Sequence, residues 1–286
     1  MSASLGSVLN ALAAQGMPAL HSRHASGVDQ IVCASADARD WHRFRAALEA
    51  DLPPADVLIS DHDPLLPALF ISDMDSTMIG QECIDELSDF AGLKPQIAAI
   101  TERAMQGELD FEAALRERVR LLSGLDEGAI AQCLAERIRP MPGAKTLVAT
   151  LKATGCHTVL VTGGFHQFAD PIAAELGFER VVANRLEVQG GALTGGLVGG
   201  IVDSSVKCAT LKHEFARLGL GRALGRSSLA TGDGANDIPM IEAACYGIAY
   251  HAKPKARAAA HGWIDRGDLT DVLRLLGIPD SEWTDR

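Results

Sequence analysis

The sequence predicts an α/β protein with a doubly wound, mainly parallel sheet, an inserted helical cap and a small N-terminal α/β module. Apolar runs of strand length alternate with helical patterns, one long stretch is helical only, and several apolar runs end in polar or glycine-rich sequence. The apolar runs are "PALFISD" (67–73), "HTVLVTG" (157–163), "SSLATGD" (227–233) and "YGIAY" (246–250). Strands that are apolar on both faces are typical of parallel sheets with helices on each side.

The first 66 residues have a weaker pattern. "VDQIVCAS" and "ADVLIS" are interpreted as strands on either side of the helix "ARDWHRFRAALEA", which predicts a small α/β module over 1–66. No motif in this segment indicates chemistry, so its role is left open.

The stretch 81–139 is helical only. "ECIDELSDFAG", "PQIAAITERAMQG", "DFEAALRERVRLLSG" and "DEGAIAQCLAERI" are amphipathic, and glycines stand at plausible helix ends. We therefore assign 81–139 to an inserted cap, and 67–80 together with 140–286 to the core. Further along, "QGGALTGGLVGG" (189–200) lacks both phosphate-loop patterns, GxGxxG and GxxxxGK[ST]. The alternating "RLEV" before it favours a glycine-rich hairpin instead.

The composition excludes several classes of protein. A formal net charge of −11 argues against nucleic acid or an anionic membrane as the main partner. No apolar run approaches the roughly 20 residues that span a bilayer, and the N-terminus has no basic start typical of a secretory signal. The six cysteines are scattered without a CxxC pair, so neither zinc nor a disulfide framework is expected. A cytoplasmic enzyme with reduced thiols fits best.

Acidic side chains follow two of the apolar runs. Asp73 and Asp75 occupy positions i and i+2 in "SDMDST", where an extended backbone directs both to one face. Asp233 and Asp237 lie in "TGDGAND" after another run. Ligands of doubly wound sheets bind beyond the carboxyl ends of the strands. Oxygen ligands at neighbouring strand ends favour Mg²⁺ over zinc.

Two carboxylates beside Mg²⁺ permit covalent phosphoryl transfer. Asp73 can attack phosphorus, while Asp75 can protonate the departing alkoxide and later deprotonate water. The Thr162 hydroxyl and the Gly163 N–H are candidate donors to the phosphoryl group. Lys207 is the preferred cation, because Lys212 in "TLKHEF" fits a solvated helix face. "KPKAR" (253–257) is interpreted as a basic helix surface.

These motifs resemble a known superfamily. "DMDST" (73–77), "VTGG" (161–164), Lys207 and "GDGAND" (232–237) are similar to the four motifs of the haloacid dehalogenase phosphatases. The longer segments "DMDSTMIGQECIDELSDFAG", "ITERAMQGELDFEAALRERVRLL", "ANRLEV" and "GDGANDIPM" resemble the phosphoserine phosphatase family in particular. The resemblance spans about 70–275 and implies a HAD-like Rossmannoid core.

The resemblance also implies roles for individual residues. Asp73 would be the nucleophile and Asp75 the general acid and base. Mg²⁺ would be held by the Asp73 carboxylate, the Asp75 backbone carbonyl, Asp233 and, through water, Asp237. Asn236 would help to hold the phosphate, with Thr162, Gly163 and Lys207. Many relatives have serine where this chain has Thr162; threonine keeps the hydroxyl and adds a methyl group.

The implied substrate is O-phospho-L-serine, whose hydrolysis to L-serine is the last step of serine biosynthesis. Glu82 would engage the substrate ammonium and Arg118 its carboxylate, the latter with the planar fork of a guanidinium. Met105 and Phe111 would close over the substrate. Without the resemblance, Glu82 and Arg118 would be interpreted as solvated helix charges, and Met105 and Phe111 as part of the cap core.

Alternatives remain at this point. A phosphotransferase would pass the phosphoryl group to another alcohol, such as homoserine, and a different phosphoric monoester hydrolase would act on another small ester. A phospho-accepting switch of the response-regulator type needs neither a cap nor Asp75. Residues 1–66 could form an ACT-like amino-acid-binding domain, support a homodimer, or only cover the core.

Overall fold

The computed structural model describes residues 3–25, 27–33, 41–51, 54–105, 108–220 and 227–284. Its N-terminal part consists of helix α1 (Ala3–Ala14), the antiparallel strands β1 (Ala19–Ala25) and β2 (Val28–Cys33), and helix α2 (Trp41–Asp51). Val8, Leu12, Met17 and Ala47 form a small apolar cluster between the helices and the hairpin. Helix α1 and strand β1 are elements that the sequence interpretation missed, while β2 and α2 lie where it expected them.

A seven-stranded sheet forms the centre of the molecule. In spatial order its strands are β3 (Val57–Leu58), β11 (Gly262–Ile264), β10 (Tyr246–Tyr250), β9 (Ser228–Gly232), β4 (Leu69–Ser72), β5 (His157–Phe165) and β6 (Arg180–Asn184). Only the pairing of β3 with β11 is antiparallel. The predicted mainly parallel sheet is thus confirmed, with all four predicted strands in it.

Two short strands, β6 and β11, were not predicted, and β3 has an unexpected place. The segment "ADVLIS" does contain a strand, but Val57 pairs with Trp263 at the edge of the central sheet rather than with the N-terminal hairpin. A strand of two residues has no periodicity that could indicate its partner.

Four helices follow β4: α3 (Cys83–Phe90), α4 (Lys94–Met105), α5 (Phe111–Leu121) and α6 (Gly128–Arg137). The chain enters and leaves this block side by side, because Met141 N–H donates to Met78 O at 2.9 Å and Gly80 N–H to Arg139 O at 3.1 Å. The strands β7 (Leu186–Gln189) and β8 (Ala192–Leu197) form the expected glycine-rich hairpin. The hairpin docks on the helical block through Gly124 N–H, which donates to Leu193 O at 2.8 Å. The domain boundaries at 66, 80 and 139 stay predictions.

Helices cover both faces of the sheet. On one face lie α7 (Ala144–Ala153), α8 (His166–Leu176) and α12 (Thr270–Leu275), and on the other α9 (Ser204–Arg217) and α10 (Ile238–Ala243); α11 (Pro254–Ala259) follows β10. Strand β4 shows why both faces are apolar: Phe70 packs into one layer, and Leu69 and Ile71 into the other. None of the helices in the described ranges has the length and apolar character needed to span a bilayer.

Candidate active site

Asp73 is buried at the carboxyl end of β4. Its backbone N–H donates to Thr231 O of the neighbouring β9 at 3.0 Å. The hydroxyl of Ser72 donates to Asp73 O at 2.7 Å, and the Thr231 hydroxyl in turn donates to Ser72 Oγ at 2.7 Å. Because β4 and β9 run parallel and in register, their ends meet at one edge of the sheet. This edge is where the site lies.

Lys207 lies in the first turn of α9, which Asp203 caps by accepting a hydrogen bond from Val206 N–H at 2.9 Å. Its ammonium has 0% exposure and donates to Asp73 Oδ1 at 2.6 Å and to Asp237 Oδ1 at 2.7 Å. Burial alone would lower the pKa of Lys207, but the charges of both carboxylates raise it above its usual value. Lys207 is therefore a fixed cation in the site, whereas Lys212 is exposed on the same helix.

Three buried carboxylates converge beside this ammonium. Carboxylate oxygens of Asp73, Asp233 and Asp237 lie within 4.8 Å of one another. Burial raises the pKa of Asp73 and of Asp233, and the charge of Asp237 adds to the effect on Asp73. One buried ammonium leaves part of this negative charge without compensation. An all-oxygen, anionic cluster of this kind fits a hard divalent cation such as Mg²⁺.

The loop after β9 is packed tightly around Asp237. A Cβ atom on Gly232 would lie 2.4 Å from Asp237 Cγ, so no other residue fits there without displacing the carboxylate. Gly234 N–H donates to Asp237 Oδ2 at 3.1 Å. Asn236 is half-buried in the short 3₁₀ turn Ala235–Asp237. The glycines of "GDGAND" thus allow the backbone to hold its acidic residues close together.

Asp75 is half-buried next to this cluster, and its charge acts on Asp73. Burial and then the charge of Glu82 raise the pKa of Asp75 to about 7, although hydrogen bonding to Cys83 opposes the shift. Cys83 N–H, at the start of α3, donates to Asp75 Oδ1 at 3.3 Å. A Cβ atom on Gly164 would lie 3.0 Å from Asp75 Oδ2, so Asp75 lies against the end of β5. A carboxyl group with a pKa near neutrality can donate and accept a proton.

Polar groups of the "VTGG" loop lie beside Asp75. Thr162 is buried, and its hydroxyl oxygen accepts from Gly164 N–H at 2.9 Å, which leaves its own proton available for donation. Gly163 O accepts from Asn184 Nδ2 at 2.8 Å, and Asn184 Oδ1 accepts from Val202 N–H at 2.8 Å. Asn184 therefore holds the loop, a role the sequence interpretation did not assign.

The cap contributes Glu82, Arg118 and Phe111. Glu82 is exposed at the N-terminus of α3 and accepts from the Ser76 hydroxyl at 2.8 Å. Partial desolvation raises the pKa of Glu82, and the nearby Asp233 charge adds to this. Arg118 is half-buried on α5, and burial lowers its pKa although the charges of Asp85 and Glu82 oppose the change. The charge of Glu82 thus acts on Arg118.

Phe111 bridges cap and core. Its side chain is 40% exposed, yet a Cβ atom on Gly163 would lie 3.2 Å from Phe111 Cζ. The ring therefore lies over the "VTGG" loop. Met105 ends α4, and its side chain lies outside the part of the chain that the structure describes.

The sequence model of the haloacid dehalogenase-like hydrolases matches residues 70–242. The chain belongs to this family. A protein named phosphoserine phosphatase from Haemophilus influenzae is 41% identical over 243 residues, which cover 84% of this chain and 74% of that protein.

Two solved structures are similar to the whole molecule or to its larger part. A probable phosphoserine phosphatase from Vibrio cholerae, in unliganded form, has a TM-score of 0.76 and 32% identity, covering 99% of this chain and 85% of its own. A structure described as a phospho-aspartyl intermediate analogue of phosphoserine phosphatase has a TM-score of 0.66 and 36% identity, covering 73% of this chain and 99% of its own.

Within this family member, the structure brings the predicted core carboxylates and Lys207 to one edge of the sheet, and Glu82 of the cap accepts a hydrogen bond from Ser76 in the adjoining loop. It also adds a residue that the sequence interpretation placed elsewhere. Lys253, taken as part of a basic helix surface, has its Nζ atom 3.4 Å from Asp233 Oδ2. The available signal was its position three residues after β10, a strand that ends at the same edge of the sheet.

Proposed function

We propose that this chain is a Mg²⁺-dependent phosphoserine phosphatase that hydrolyses O-phospho-L-serine to L-serine and phosphate through an aspartyl phosphate on Asp73. The observation that carries the proposal is the buried Lys207 ammonium between Asp73 and Asp237, with Asp233 beside them. The names of the relatives support the choice of substrate. The phospho-aspartyl analogue of one relative supports the covalent route.

Asp73 is the proposed nucleophile. One of its carboxylate oxygens forms the bond to phosphorus while the bond from phosphorus to the serine oxygen breaks. Lys207 holds the carboxylate in place at 2.6 Å and opposes its rotation. A fixed nucleophile reduces the entropic cost of reaching the reacting geometry.

Asp75 is the proposed proton carrier. With a pKa of about 7, the Asp75 carboxyl group is protonated in a large fraction of the protein molecules near neutral pH. It gives its proton to the departing serine alkoxide, and the resulting carboxylate then takes a proton from the water that attacks phosphorus and releases Asp73. The two half-reactions leave both aspartates as they began.

The phosphoryl group needs positive charge and aimed donors. We assign Mg²⁺ binding to the carboxylates of Asp73 and Asp233 and the backbone carbonyl of Asp75, with Asp237 acting through water. The ion, when bound, supplies positive charge next to the phosphoryl oxygens. The Thr162 hydroxyl, the Gly163 N–H, Lys207 and Asn236 are the proposed phosphate contacts.

The amino-acid part of the substrate would bind to the cap. Glu82 and Arg118 offer one charge of each sign, which complements an ammonium and a carboxylate on the same small molecule. Phe111, already over Gly163, would exclude water from the reacting centre with Met105. The proposed place in metabolism is therefore the last step of L-serine formation.

The experiment is phosphate release from a panel of phosphorylated amino acids and sugar phosphates, with Mg²⁺ and with a chelator. We expect O-phospho-L-serine to be the preferred substrate and the activity to be lost with the chelator and restored by Mg²⁺. Preference for a sugar phosphate, or full activity without a divalent ion, would contradict the proposal. A phosphorylated product formed from added homoserine, at the expense of free phosphate, would indicate a phosphotransferase instead.

A further inference from the structure

Lys253 contacts Asp233 of the "GDGAND" loop (232–237) at two points. Its backbone N–H donates to Asp233 O at 2.8 Å, and its side-chain Nζ lies 3.4 Å from Asp233 Oδ2. The residue stands at the N-terminus of α11, immediately before Pro254 in the first turn. Its backbone is therefore fixed beside Asp233.

The far end of α11 is also fixed. The buried Arg45 of α2 donates from Nη1 to Ala258 O and to Ala260 O, each at 3.0 Å, and its guanidinium stacks 4.8 Å from the centre of the Trp263 ring. The N-terminal part of the chain thus holds the short helix that positions Lys253. The backbone of Lys253 is thus held by contacts at both ends of α11, whereas within the described ranges its side chain has only the single ion pair with Asp233.

The side chain of Lys253 is largely surrounded by solvent, since 68% of its surface is exposed. Burial would lower the pKa of Lys253, but the charges of Asp233 and Glu82 raise it. The ammonium contacts an acid of the core, Asp233, and the charge of Glu82 in the cap also acts on it. Lys207 differs in both respects, because it is fully buried and bonded to two carboxylates.

We propose that the Lys253 ammonium is an exchangeable counter-ion of Asp233, which a divalent cation displaces when it binds to the carboxylate cluster. The inference rests on the metal site of the proposed function. An ammonium and a divalent cation repel each other when they share one carboxylate. The Lys253 ammonium can move away from Asp233 because its long aliphatic side chain is exposed to solvent. Lys207 cannot move away without leaving two buried carboxylates unpaired. Lys253 therefore lowers the affinity of the site for Mg²⁺.

The test is isothermal titration of MgCl₂ into the metal-free, full-length protein without substrate, at low and constant ionic strength. Lys253→Gln should bind Mg²⁺ about two- to five-fold more tightly than the control, the range that a solvent-exposed ion pair allows. The control is Lys255→Gln, which removes the same charge from the same helix. Lys255 is exposed and has no ion pair with any residue in the described ranges. Lys253→Arg, which keeps the charge, should bind Mg²⁺ like the wild type.

If Lys253→Gln binds Mg²⁺ no more tightly than Lys255→Gln, the proposed counter-ion role of Lys253 is wrong. Because the expected result is a gain in affinity, a misfolded variant cannot imitate it. The proposed function is decided separately by hydrolysis of phosphoserine by the wild type in saturating Mg²⁺. A wild type that hydrolyses phosphoserine and binds Mg²⁺, with unchanged affinity in Lys253→Gln, contradicts the inference about Lys253 alone. A wild type that does not bind Mg²⁺ would overturn the metal site and the inference together.

Discussion

The core and the cap hold their charged residues in opposite ways. In the core, Asp73, Asp237 and Lys207 are buried and satisfy one another through hydrogen bonds of 2.6 and 2.7 Å. In the cap, Glu82 is exposed and Arg118 is half-buried, and the Arg118 side chain donates a hydrogen bond to a carbonyl of its own helix, Ala114 O. The core groups are thus assembled before substrate arrives, while the cap groups still face water.

Electrostatics explains this difference. A buried charge is costly unless it is paired, so Asp73, Asp237 and Lys207 are held against one another in the folded protein, and the negative charge that remains favours a divalent cation. Charged side chains of the cap that remain in contact with water are stable without a ligand, because water solvates them at little cost in free energy. We therefore expect hydrolysis of any phosphate ester to require the core residues, and the preference among substrates to depend on the cap residues.

The largest effect is expected for Asp73→Asn, which removes the proposed nucleophile and keeps the size of the side chain. Phosphoserine hydrolysis should fall by about 10⁴-fold or more. Phosphate release measures the loss, and circular dichroism with a thermal melt checks that the fold remains. Near-normal turnover in a folded variant would remove Asp73 from the mechanism.

Asp75→Asn should reduce the rate by about 10²- to 10⁴-fold, the usual contribution of a positioned acid and base. It should also change the pH profile. Since the pKa of Asp75 is raised to about 7, the protonated acid is present below that pH and is lost above it. The kcat/KM of the wild type should therefore decline above pH 7, and the variant should lack this decline. Ionisation of the substrate affects both proteins equally, so an identical profile in the variant would contradict the assignment.

Glu82→Ala and Arg118→Ala separate the cap from the core. Each should lower kcat/KM for phosphoserine by about 10- to 100-fold, the range for a lost hydrogen bond to a charged group. The kcat/KM for an aryl phosphate without ammonium or carboxylate should change by less than about threefold, since the core site is intact. Equal losses with both substrates would mean that these residues shape the cap instead of recognising an amino acid.

The smallest effect is expected at Thr162, where the core tolerates a change that keeps the hydroxyl. Thr162→Ser should alter kcat/KM by no more than about twofold, whereas Thr162→Val should lower it by about tenfold or more through loss of a hydrogen bond to the charged phosphoryl group. Steady-state kinetics with phosphoserine distinguishes the two variants. A severe loss in Thr162→Ser would show that the methyl group, rather than the hydroxyl, matters at this position.

The sequence was most informative where an apolar strand pattern is followed directly by a polar motif. The apolar runs that end at Asp73, Gly163 and Asp233 predict both strands and the edge at which they meet, because parallel strands place their carboxyl ends together. Lys207 could be located through motif resemblance, but only the fold brings it across 134 residues of sequence to Asp73. The grouping of the core residues at one edge of the sheet was therefore largely predictable.

Contacts that depend on tertiary packing were not predictable. Lys253 reads as a surface lysine in "KPKAR", and its approach to Asp233 follows from the alignment of β10 with β9. Asn184 lies on an edge strand, and its two hydrogen bonds join segments that are 18 and 21 residues away. A strand in "ADVLIS" was predicted, but β3 has only two residues, so its pairing with β11 has no periodic signal in the sequence.

The covalent intermediate on Asp73 can be detected by rapid acid quench with phosphoserine labelled on phosphorus. We expect the label to appear transiently on the protein, to map to the peptide that contains Asp73, and to be absent from Asp73→Asn. Release of labelled phosphate at the normal rate with no labelled protein at any time, or with label on another residue, would contradict this expectation.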